Sequence, residues 1–326
     1  MGKNIIVTGG AGYIGSHVCK QLALEGFNPI TIDNFSRGFQ NWVKWGPLFE
    51  TDLRDFDSLL KIFKETDPDG VVHLAAYAYV PESVKKPLLY YDNNVIGGIN
   101  LLKVMRECQV KNLVFSSSCA VYGIPNEIPI KENSKLEPIN PYGETKLILE
   151  NLIGDISRKD GLNSVILRYF NVGGADSEME TGECHEPETH LIPLAIKACV
   201  DDSYHLSVFG NDYSTPDGTC IRDYIHVSDL ANAHVEALKK ITTGSVDLEI
   251  INLGSGTGFS VMEIIHTIEE ITGMKIKYKL GDRRKGDPAI LISKILKAEK
   301  ILNWTPHSSN IDDIISSALK WANNHN

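Results

Sequence analysis

The sequence predicts an α/β protein with a doubly wound parallel sheet and a smaller C-terminal lobe. Short apolar runs rich in β-branched residues alternate with amphipathic helical stretches over the first half of the chain, which is typical of a parallel sheet covered by helices. The polar, acidic segment after Asn171 interrupts this alternation. We therefore expect one lobe over residues 1–172 and a second over 173–326, with some later strands and helices returning to the first.

Each element follows from its local pattern. The first strand, NIIVTGG, ends at glycines, and the helix GYIGSHVCKQLALEGF follows with apolar positions at Ile14, Val18 and Leu22 and a stop at Gly26. The remaining runs of the first lobe predict the strands PITIDN, GVVHLAA, NLVFSSS and SVILRYFN, which are separated by the helical stretches DFDSLLKIFKETDP, NNVIGGINLLKVMRECQV and KLILENLIGDISRKDG. IDDIISSALKWANN predicts a last helix.

Composition excludes several classes of protein. A formal net charge of -10 over 326 residues argues against a nucleic-acid surface, because phosphate backbones need a basic stripe. No apolar run approaches the ~18 residues of a membrane span, and the N-terminal apolar run is too short for a signal peptide. The six cysteines form no C-x-x-C pair, so we expect reduced thiols in a cytoplasmic protein.

The turn after the first strand predicts a dinucleotide site. TGGAGYIG contains a G-x-G-x-x-G motif from Gly10 to Gly15 between a strand and a helix, where the backbone approaches a pyrophosphate at a helix N-terminus. Asp33 closes the next strand, 18 residues beyond Gly15, where an acid binds ribose hydroxyls and repels a 2′-phosphate. The motif therefore predicts a Rossmann-type NAD site, although Arg37 lies near enough to leave NADP open.

A tyrosine and a lysine predict acid–base chemistry. Tyr142 and Lys146 in NPYGETK share one helical face. An ammonium about 4 Å from a phenolate contributes roughly 4 kcal/mol at an effective dielectric of 20, or about three pKa units, so Tyr142 is a candidate general base. Ser118 in SSSCAVYG lies 24 residues upstream and is a candidate partner for the reacting hydroxyl. Taken singly, both motifs are common in proteins.

Together with the glycine motif, this constellation resembles the extended short-chain dehydrogenases/reductases, and within them the UDP-glucose 4-epimerases, also called UDP-galactose 4-epimerases. The similarity covers nearly the whole chain. Its most specific stretches are GGAGYIGSH, ESVKKPLLYYDNNV, SSSCAVYG, NPYGETK, LRYFNVGGA, FGNDYSTPDGTCIRDYIHVSDLA and RRKGDPA.

The resemblance implies the interconversion of UDP-glucose and UDP-galactose. In this family NAD removes hydride at sugar C4, leaves a 4-keto sugar and returns the hydride to the opposite face. Ser118, Tyr142 and Lys146 would be catalytic. The partners implied are a UDP-sugar and a second copy of the chain, which would pack through the helices that follow YYDNNV and NPYGETK.

The resemblance also implies a set of binding residues. The cofactor set is Gly9, Gly12, Tyr13, Ile14, Gly15, Asp33, Asn34, Asp52, Leu53, Ala75, Asn93, Ser116, Tyr142, Lys146 and Phe170. The substrate set is Ser118, Tyr142, Asn171, His190, Leu191, Phe209, Arg222, Arg284, Asp287 and Leu291. Ala78 and His190 depart from the lysine and asparagine of other members. Leu291 matches a position that sets room at the sugar 2-substituent. We expect no metal site, since acidic loops with two histidines, here His185 and His190, are usually solvated.

Other functions stay open at this point. An epimerase of UDP-N-acetylglucosamine or UDP-glucuronate fits the same motifs. Nucleotide-sugar dehydratases and decarboxylases need a carboxylate just after the active hydroxyl residue, where this chain has Cys119 and Ala120. A non-catalytic NAD-sensing protein on the same fold would lack the tyrosine or the lysine, and both are present.

Overall fold

The computed structural model describes residues 2–284 and 286–325. Its strands are β1 (Asn4–Thr8), β2 (Asn28–Asp33), β3 (Leu48–Glu50), β4 (Gly70–His73), β5 (Asn112–Ser118), β6 (Asn163–Tyr169), β7 (Asn171–Gly173), β8 (Leu206–Phe209), β9 (Ile221–His226), β10 (Leu248–Leu253), β11 (Gly258–Ser260), β12 (Tyr278–Gly281) and β13 (Ile290–Leu291).

Helices connect most of these strands. They are α1 (Tyr13–Leu24), α2 (Phe56–Thr66), α3 (Val80–Lys85), α4 (Pro87–Tyr90), α5 (Gly97–Glu107), α6 (Pro141–Asp160), α7 (Leu191–Val200), α8 (Val227–Thr242), α9 (Val261–Thr272), α10 (Leu296–Leu302) and α11 (Ile311–His325). A π-helical segment, Tyr91–Ile96, joins α4 to α5. None of these helices in the described ranges combines the length and apolar character needed to span a bilayer.

The central sheet is parallel throughout, in the order β10-β6-β5-β4-β1-β2-β3. The chain starts in the middle of the sheet, builds outward through β2 and β3, and then returns to build the other half from β4. This arrangement confirms the predicted doubly wound parallel sheet. It also creates a reversal point between β1 and β4, where such sheets bind ligands at their carboxyl ends.

Two apolar layers enclose the sheet. On one face α1 and α8 pack against the strands, with Val18, Leu22 and Leu238 fully buried. On the other face α2, α5 and α6 bury residues such as Leu101 and Leu149. Because strands covered on both faces need apolar side chains at nearly every position, the runs NIIV and LVF carry no polar alternation.

The C-terminal half contributes both to this sheet and to a second unit. β10 pairs with β6 at the sheet edge, whereas β7, β9, β11 and β13 form a smaller sheet. Helices α7, α9 and α11 pack over that smaller sheet around Ile264, Ile265 and Ile314. The lobe boundary at residue 172 stays a prediction, because the chain crosses between the two units more than once after that point.

A buried ion pair fastens α6 to β6. Two nitrogens of Arg168 contact the carboxylate of Glu150 at 2.5–3.1 Å, and the two side chains are 1% and 2% exposed. The remaining guanidinium nitrogen donates to the Tyr122 hydroxyl and the Glu132 carbonyl. Both charges are therefore fully partnered inside the protein, where an unpartnered charge is very unfavourable.

Removing only one of these charges should destabilise the fold strongly. We expect Arg168→Met to lower the free energy of unfolding by about 3–5 kcal/mol, because Glu150 is left buried without its cation. Adding Glu150→Leu should recover most of that loss. Urea titration of both variants measures this. Arg158→Met on α6 is a matched control, since its ion pair with Asp155 is 67% and 75% exposed and contributes roughly 0–1 kcal/mol. A double variant as unstable as the single one would contradict the pairing argument.

Candidate active site

A cavity of about 790 Å³ opens at the carboxyl ends of the central strands and extends to the smaller sheet. All the residues predicted to bind cofactor or substrate line it except Ser116 and Leu291. This volume lies in the upper part of the range of small-molecule sites, which is about 300–1,000 Å³.

The glycine turn forms one end of the cavity. Gly9 has a φ of 73°, and its amide donates to the Ile32 carbonyl at 2.8 Å. A Cβ on Gly15 would lie 2.0 Å from the Gly9 carbonyl oxygen, so only glycine permits this contact between turn and helix. At Gly12 a Cβ would approach nothing closer than 3.3 Å. The turn therefore leaves open space over the start of α1, where helix N–H groups attract an anion.

Acidic and amide side chains lie next to this turn. Asp33 is 8% exposed, and its carboxylate accepts the amides of Ala11 and Phe35 at 3.0 and 2.9 Å. Burial raises the pKa of Asp33, and these backbone amides oppose the rise. The Asn34 amide donates to Asp52 at 2.8 Å, so the ends of β2 and β3 meet here. This geometry presents a carboxylate beside the glycine turn, as the sequence predicts.

The predicted catalytic side chains converge deeper in the cavity. Asn140 caps α6 by accepting the Gly143 amide at 2.9 Å, which fixes the first turn that contains Tyr142. One turn later, Lys146 donates from Nζ to the Ser116 carbonyl at 2.7 Å and lies 5.9 Å from the Tyr142 ring centre. Ser118, at the end of β5, and Tyr142 are 8% and 7% exposed.

Burial dominates the electrostatics of this group. Burial raises the pKa of Tyr142 well above that of a free phenol, neighbouring Tyr169 adds to the rise, and the nearby Ser118 hydroxyl opposes it. Burial also lowers the pKa of Lys146 to about 7, against the attraction of Glu150. The direction for Tyr142 differs from the one that the Tyr–Lys spacing alone predicts, because both groups lose water when they are packed together.

The far end of the cavity presents cations. Arg222 on β9 is buried and pairs with Asp287 at 2.5 Å. Arg284 stacks on the Phe209 ring, with its guanidinium carbon 4.1 Å from the ring centre. Two guanidinium groups beside a half-exposed aromatic face suit a phosphorylated ligand that also carries a flat ring. Asn171 and Leu191 line the cavity between this end and Tyr142.

Two predicted residues lie behind the cavity wall. Ser116 is fully buried; its hydroxyl contacts His234 at 3.0 Å. Its carbonyl accepts from Lys146, so its contact is with the lysine that is predicted to be catalytic. Leu291 is 9% exposed and packs with Phe170 in a small apolar cluster. Phe170 itself lines the cavity, so Leu291 supports the wall from behind.

Sequence reasoning missed an amide that assembles the site. Asn94 is 1% exposed; its amide donates to Thr145 on α6 at 3.0 Å and its carbonyl oxygen accepts the Tyr77 amide at 2.8 Å. It thereby joins the catalytic helix to the loop after β4. The only sequence signal is the pair Asn93–Asn94 in YYDNNV, of which Asn93 alone was assigned to the site.

Comparison with known proteins shows which family the chain belongs to. A family model described as the NAD dependent epimerase/dehydratase family matches residues 5–254. The chain belongs to this family. It is 45% identical over 322 residues to a UDP-glucose 4-epimerase of Lactobacillus helveticus, covering 98% of this chain and 97% of that protein.

Solved structures of the family agree closely with this one. A UDP-glucose 4-epimerase from Brucella ovis in complex with NAD has a TM-score of 0.94 at 46% identity, covering 98% of each chain. The UDP-glucose 4-epimerase from Bifidobacterium longum in complex with NAD+ and UDP has a TM-score of 0.94 at 38% identity, covering 99% of this chain and 98% of that one.

NAD is the cofactor of this family, and the residues present fit it. A Cβ at Gly9 would lie 2.8 Å from the Ala75 amide nitrogen, so glycine is needed to keep the turn in the shape that leaves the start of α1 open to a pyrophosphate. Asp33 stands where ribose hydroxyls need an acceptor. Ser118, Tyr142 and Lys146 line the same cavity as the glycine turn and Asp33.

Asp33 should set both the affinity and the choice of cofactor. We expect Asp33→Asn to weaken NAD binding about 10- to 100-fold, because a hydrogen bond to a charged group contributes roughly 1.5–3 kcal/mol. Discrimination against NADP should fall as well, since the repelling charge is gone. Calorimetric titration of cofactor-free protein with both dinucleotides measures this.

Asp57→Asn provides the matched control, because Asp57 is exposed in the first turn of α2. Asp33 also holds the glycine turn through the Ala11 amide, so the thermal midpoint of the variant should be recorded alongside. An Asp33→Asn protein that keeps both its NAD affinity and its preference over NADP would contradict the assignment.

Proposed function

We propose that the protein interconverts UDP-glucose and UDP-galactose by removing and returning a hydride at sugar C4. The observation that supports this best is that Ser118, Tyr142 and Lys146 line one cavity together with the glycine turn and the pair Arg222–Asp287. The names of the relatives support the same substrate pair.

Bound NAD would supply the chemistry of hydride removal and return at C4, so that no cofactor is consumed over a cycle. Tyr142 takes the proton of the C4 hydroxyl and gives it back. Ser118 holds that hydroxyl in place from the end of β5. Lys146 is fixed by the Ser116 carbonyl, and its remaining hydrogen atoms are available to the nicotinamide ribose.

Positive charge makes the tyrosine a base. Burial raises the pKa of Tyr142 in the protein alone, so the phenol keeps its proton until a cation lies nearby. Charged Lys146 and a cationic nicotinamide both favour the phenolate. We infer that binding of the oxidised cofactor activates Tyr142. The proton is then removed only when a hydride acceptor is also present.

The UDP moiety is proposed to bind to the lobe over 173–326. Arg222 and Arg284 would pair with the diphosphate, which requires Arg222 to give up part of its contact with Asp287. Asp287 would then bind the uridine ribose, and Phe209 offers its face to the base. His190 and Leu191 begin α7 beside this path.

We also propose a homodimer and a cytoplasmic location. Val84, Leu88 and Ile96 are 62%, 83% and 47% exposed. They lie on α3, α4 and the π-helical segment, which pack against α6. An apolar surface of this kind supports packing of α5 and α6 against a second copy. The six cysteines are free thiols, which supports a reducing compartment.

Tyr142 should be required for turnover but not for binding. We expect Tyr142→Phe to lower turnover at least ~100-fold, because general acid–base groups contribute about 10²–10⁴-fold, while UDP affinity stays within a few-fold. The measurement is conversion of UDP-galactose to UDP-glucose together with the nicotinamide absorbance of the purified protein. Lys146→Ala should shift the acid limb of the rate profile to higher pH.

Tyr278→Phe is the matched control, because Tyr278 is exposed on β12. Protein that holds NAD yet converts no UDP-galactose would favour the non-catalytic alternative. A Tyr142→Phe variant with unchanged turnover would overturn the assigned base.

Activity on N-acetylated UDP-sugars should depend on Leu291. We expect Leu291→Ser to raise the ratio of N-acetyl to plain activity and Leu291→Tyr to lower it, because the side chain supports Phe170 on the cavity wall. A hydrophobic pocket discriminates such size changes by ~1–3 kcal/mol, so the ratio should move about tenfold or more. The measurement is the rate on both UDP-sugar pairs for each protein. If the ratio of N-acetyl to plain activity stays the same in both variants, Leu291 does not control which sugars are accepted.

A further inference from the structure

A group of histidines and glutamates lies on the cavity wall between β7 and α7. Glu183, His185, Glu188 and His190, here called the His–Glu cluster, each offer a ligand atom, and these atoms all lie within 4.8 Å of one another. We propose that the His–Glu cluster binds one divalent transition-metal ion, and that Zn²⁺ suits it best. This proposal does not depend on the proposed reaction.

The donor set fits zinc. Two imidazole nitrogens and two carboxylate oxygens are ligands that Zn²⁺ takes at about 2.0–2.2 Å in a tetrahedral site, which places neighbouring donors roughly 3.5 Å apart. The donor atoms lie at most 4.8 Å apart. The Glu183–His185 and Glu188–His190 contacts are shorter than that spacing, so small side-chain rotations that open these two pairs and close the others give the tetrahedral spacing. Hard ions such as Ca²⁺ and Mg²⁺ prefer all-oxygen sites.

Buried polar atoms in the cluster lack partners. The Glu183 side chain is 9% exposed. Its Oε1 contacts His185 Nδ1, yet neither atom makes a hydrogen bond among the described residues. Native proteins rarely leave such atoms unsatisfied, and a bound ion is one explanation when they do. A metal between these two side chains would use both lone pairs.

The charge balance of the cluster also favours a divalent cation. Across residues 2–284 and 286–325, neither Glu183 nor Glu188 forms a salt bridge with a lysine or an arginine; their ionic contacts are to the two histidines. One divalent cation neutralises two carboxylates and leaves both imidazoles neutral. The contact of His190 Nδ1 with Glu188, at 2.7 Å, would be replaced by contacts to the ion.

Surrounding groups already orient the ligands. Glu188 Oε1 accepts the backbone amides of Thr189 and His190 at 2.6 and 2.7 Å. The His185 ring packs edge-on against the rings of Tyr13 and Tyr79, with centres 6.4 and 5.4 Å away. Outer contacts of this kind fix ligand orientation in metal sites. An ion here would hold the segment 174–190 against the start of α1.

A second acidic group shows the contrast. Asp176, Glu178 and Glu180 also lie close together, but Lys20 Nζ contacts all three at 2.6–3.0 Å. That group already has its cation and contains no histidine. It therefore needs no metal ion, and its residues provide control positions on the same loop.

Zinc content tests the proposal directly. Untagged full-length protein is treated with a chelator, incubated with Zn²⁺, freed of unbound ion by gel filtration and assayed for zinc by mass spectrometry. We expect about one zinc per chain. His185→Gln and Glu183→Gln should each weaken binding at least ~100-fold in competition with a zinc-binding dye, since even outer-shell substitutions cost 10–100-fold.

Three matched variants should bind as the wild-type protein does. They are Glu178→Gln in the acidic group, His266→Gln on the exposed side of α9, and Cys184→Ser, which removes the exposed thiol beside the cluster. Zinc should also raise the thermal midpoint of the wild-type protein and not that of His185→Gln.

Wild-type protein that retains no zinc after this treatment would overturn the proposal. So would undiminished affinity in both cluster variants, or loss of binding in Cys184→Ser, which would assign the ion to the thiol. If a cluster variant fails to fold, the Co²⁺-loaded wild-type protein decides, because a nitrogen–oxygen tetrahedral site gives visible absorption bands without thiolate charge transfer.

Discussion

The site depends on how closely the carboxyl ends of strands β1 and β4 approach each other. These two strands are neighbours because the chain starts in the middle of the sheet. Gly9 at the end of β1 then lies so near Ala75 that a Cβ would reach its amide nitrogen at 2.8 Å. Any side chain there would move the turn, the start of α1 and the open groove above it. The same neighbourhood brings β5 beside β4, which places Ser118 on the cavity and the Ser116 carbonyl that holds Lys146 just behind its wall.

Much of this follows from local sequence. Strands covered on both faces need uninterrupted apolar runs, so NIIV and SVIL predict their own burial. The glycine turn and Asp33 were predictable because a tight turn limits which residues fit. These features depend on neighbours within a few residues along the chain.

What sequence reasoning could not supply depends on distant contacts. Asn94 reaches Thr145 across 51 positions, and Leu291 meets Phe170 only after the smaller sheet is folded. The two histidines beside acidic residues were interpreted as a solvated loop, whereas packing against Tyr13 and Tyr79 places them on the cavity wall. The pKa of Tyr142 belongs to the same class, because the loss of water on burial is a property of the whole fold rather than of a four-residue spacing.

The distribution of charge along the cavity explains why its two ends suit different parts of the ligands. The chain carries a formal net charge of -10, yet both proposed ligands contain diphosphates, so attraction must come from local groups. At one end the helix N-terminus and glycine amides provide it without a charged side chain, which leaves room for Asp33 to accept from a ribose. At the other end Arg222 provides it, and Asp287 holds that guanidinium in place at 2.5 Å. Between the ends, Lys146 lies buried beside Tyr142, and burial lowers the pKa of Lys146 to about 7. Nearby anionic oxygens favour the charged form of a buried lysine, so the binding of an anionic ligand and the protonation states of Lys146 and Tyr142 are coupled.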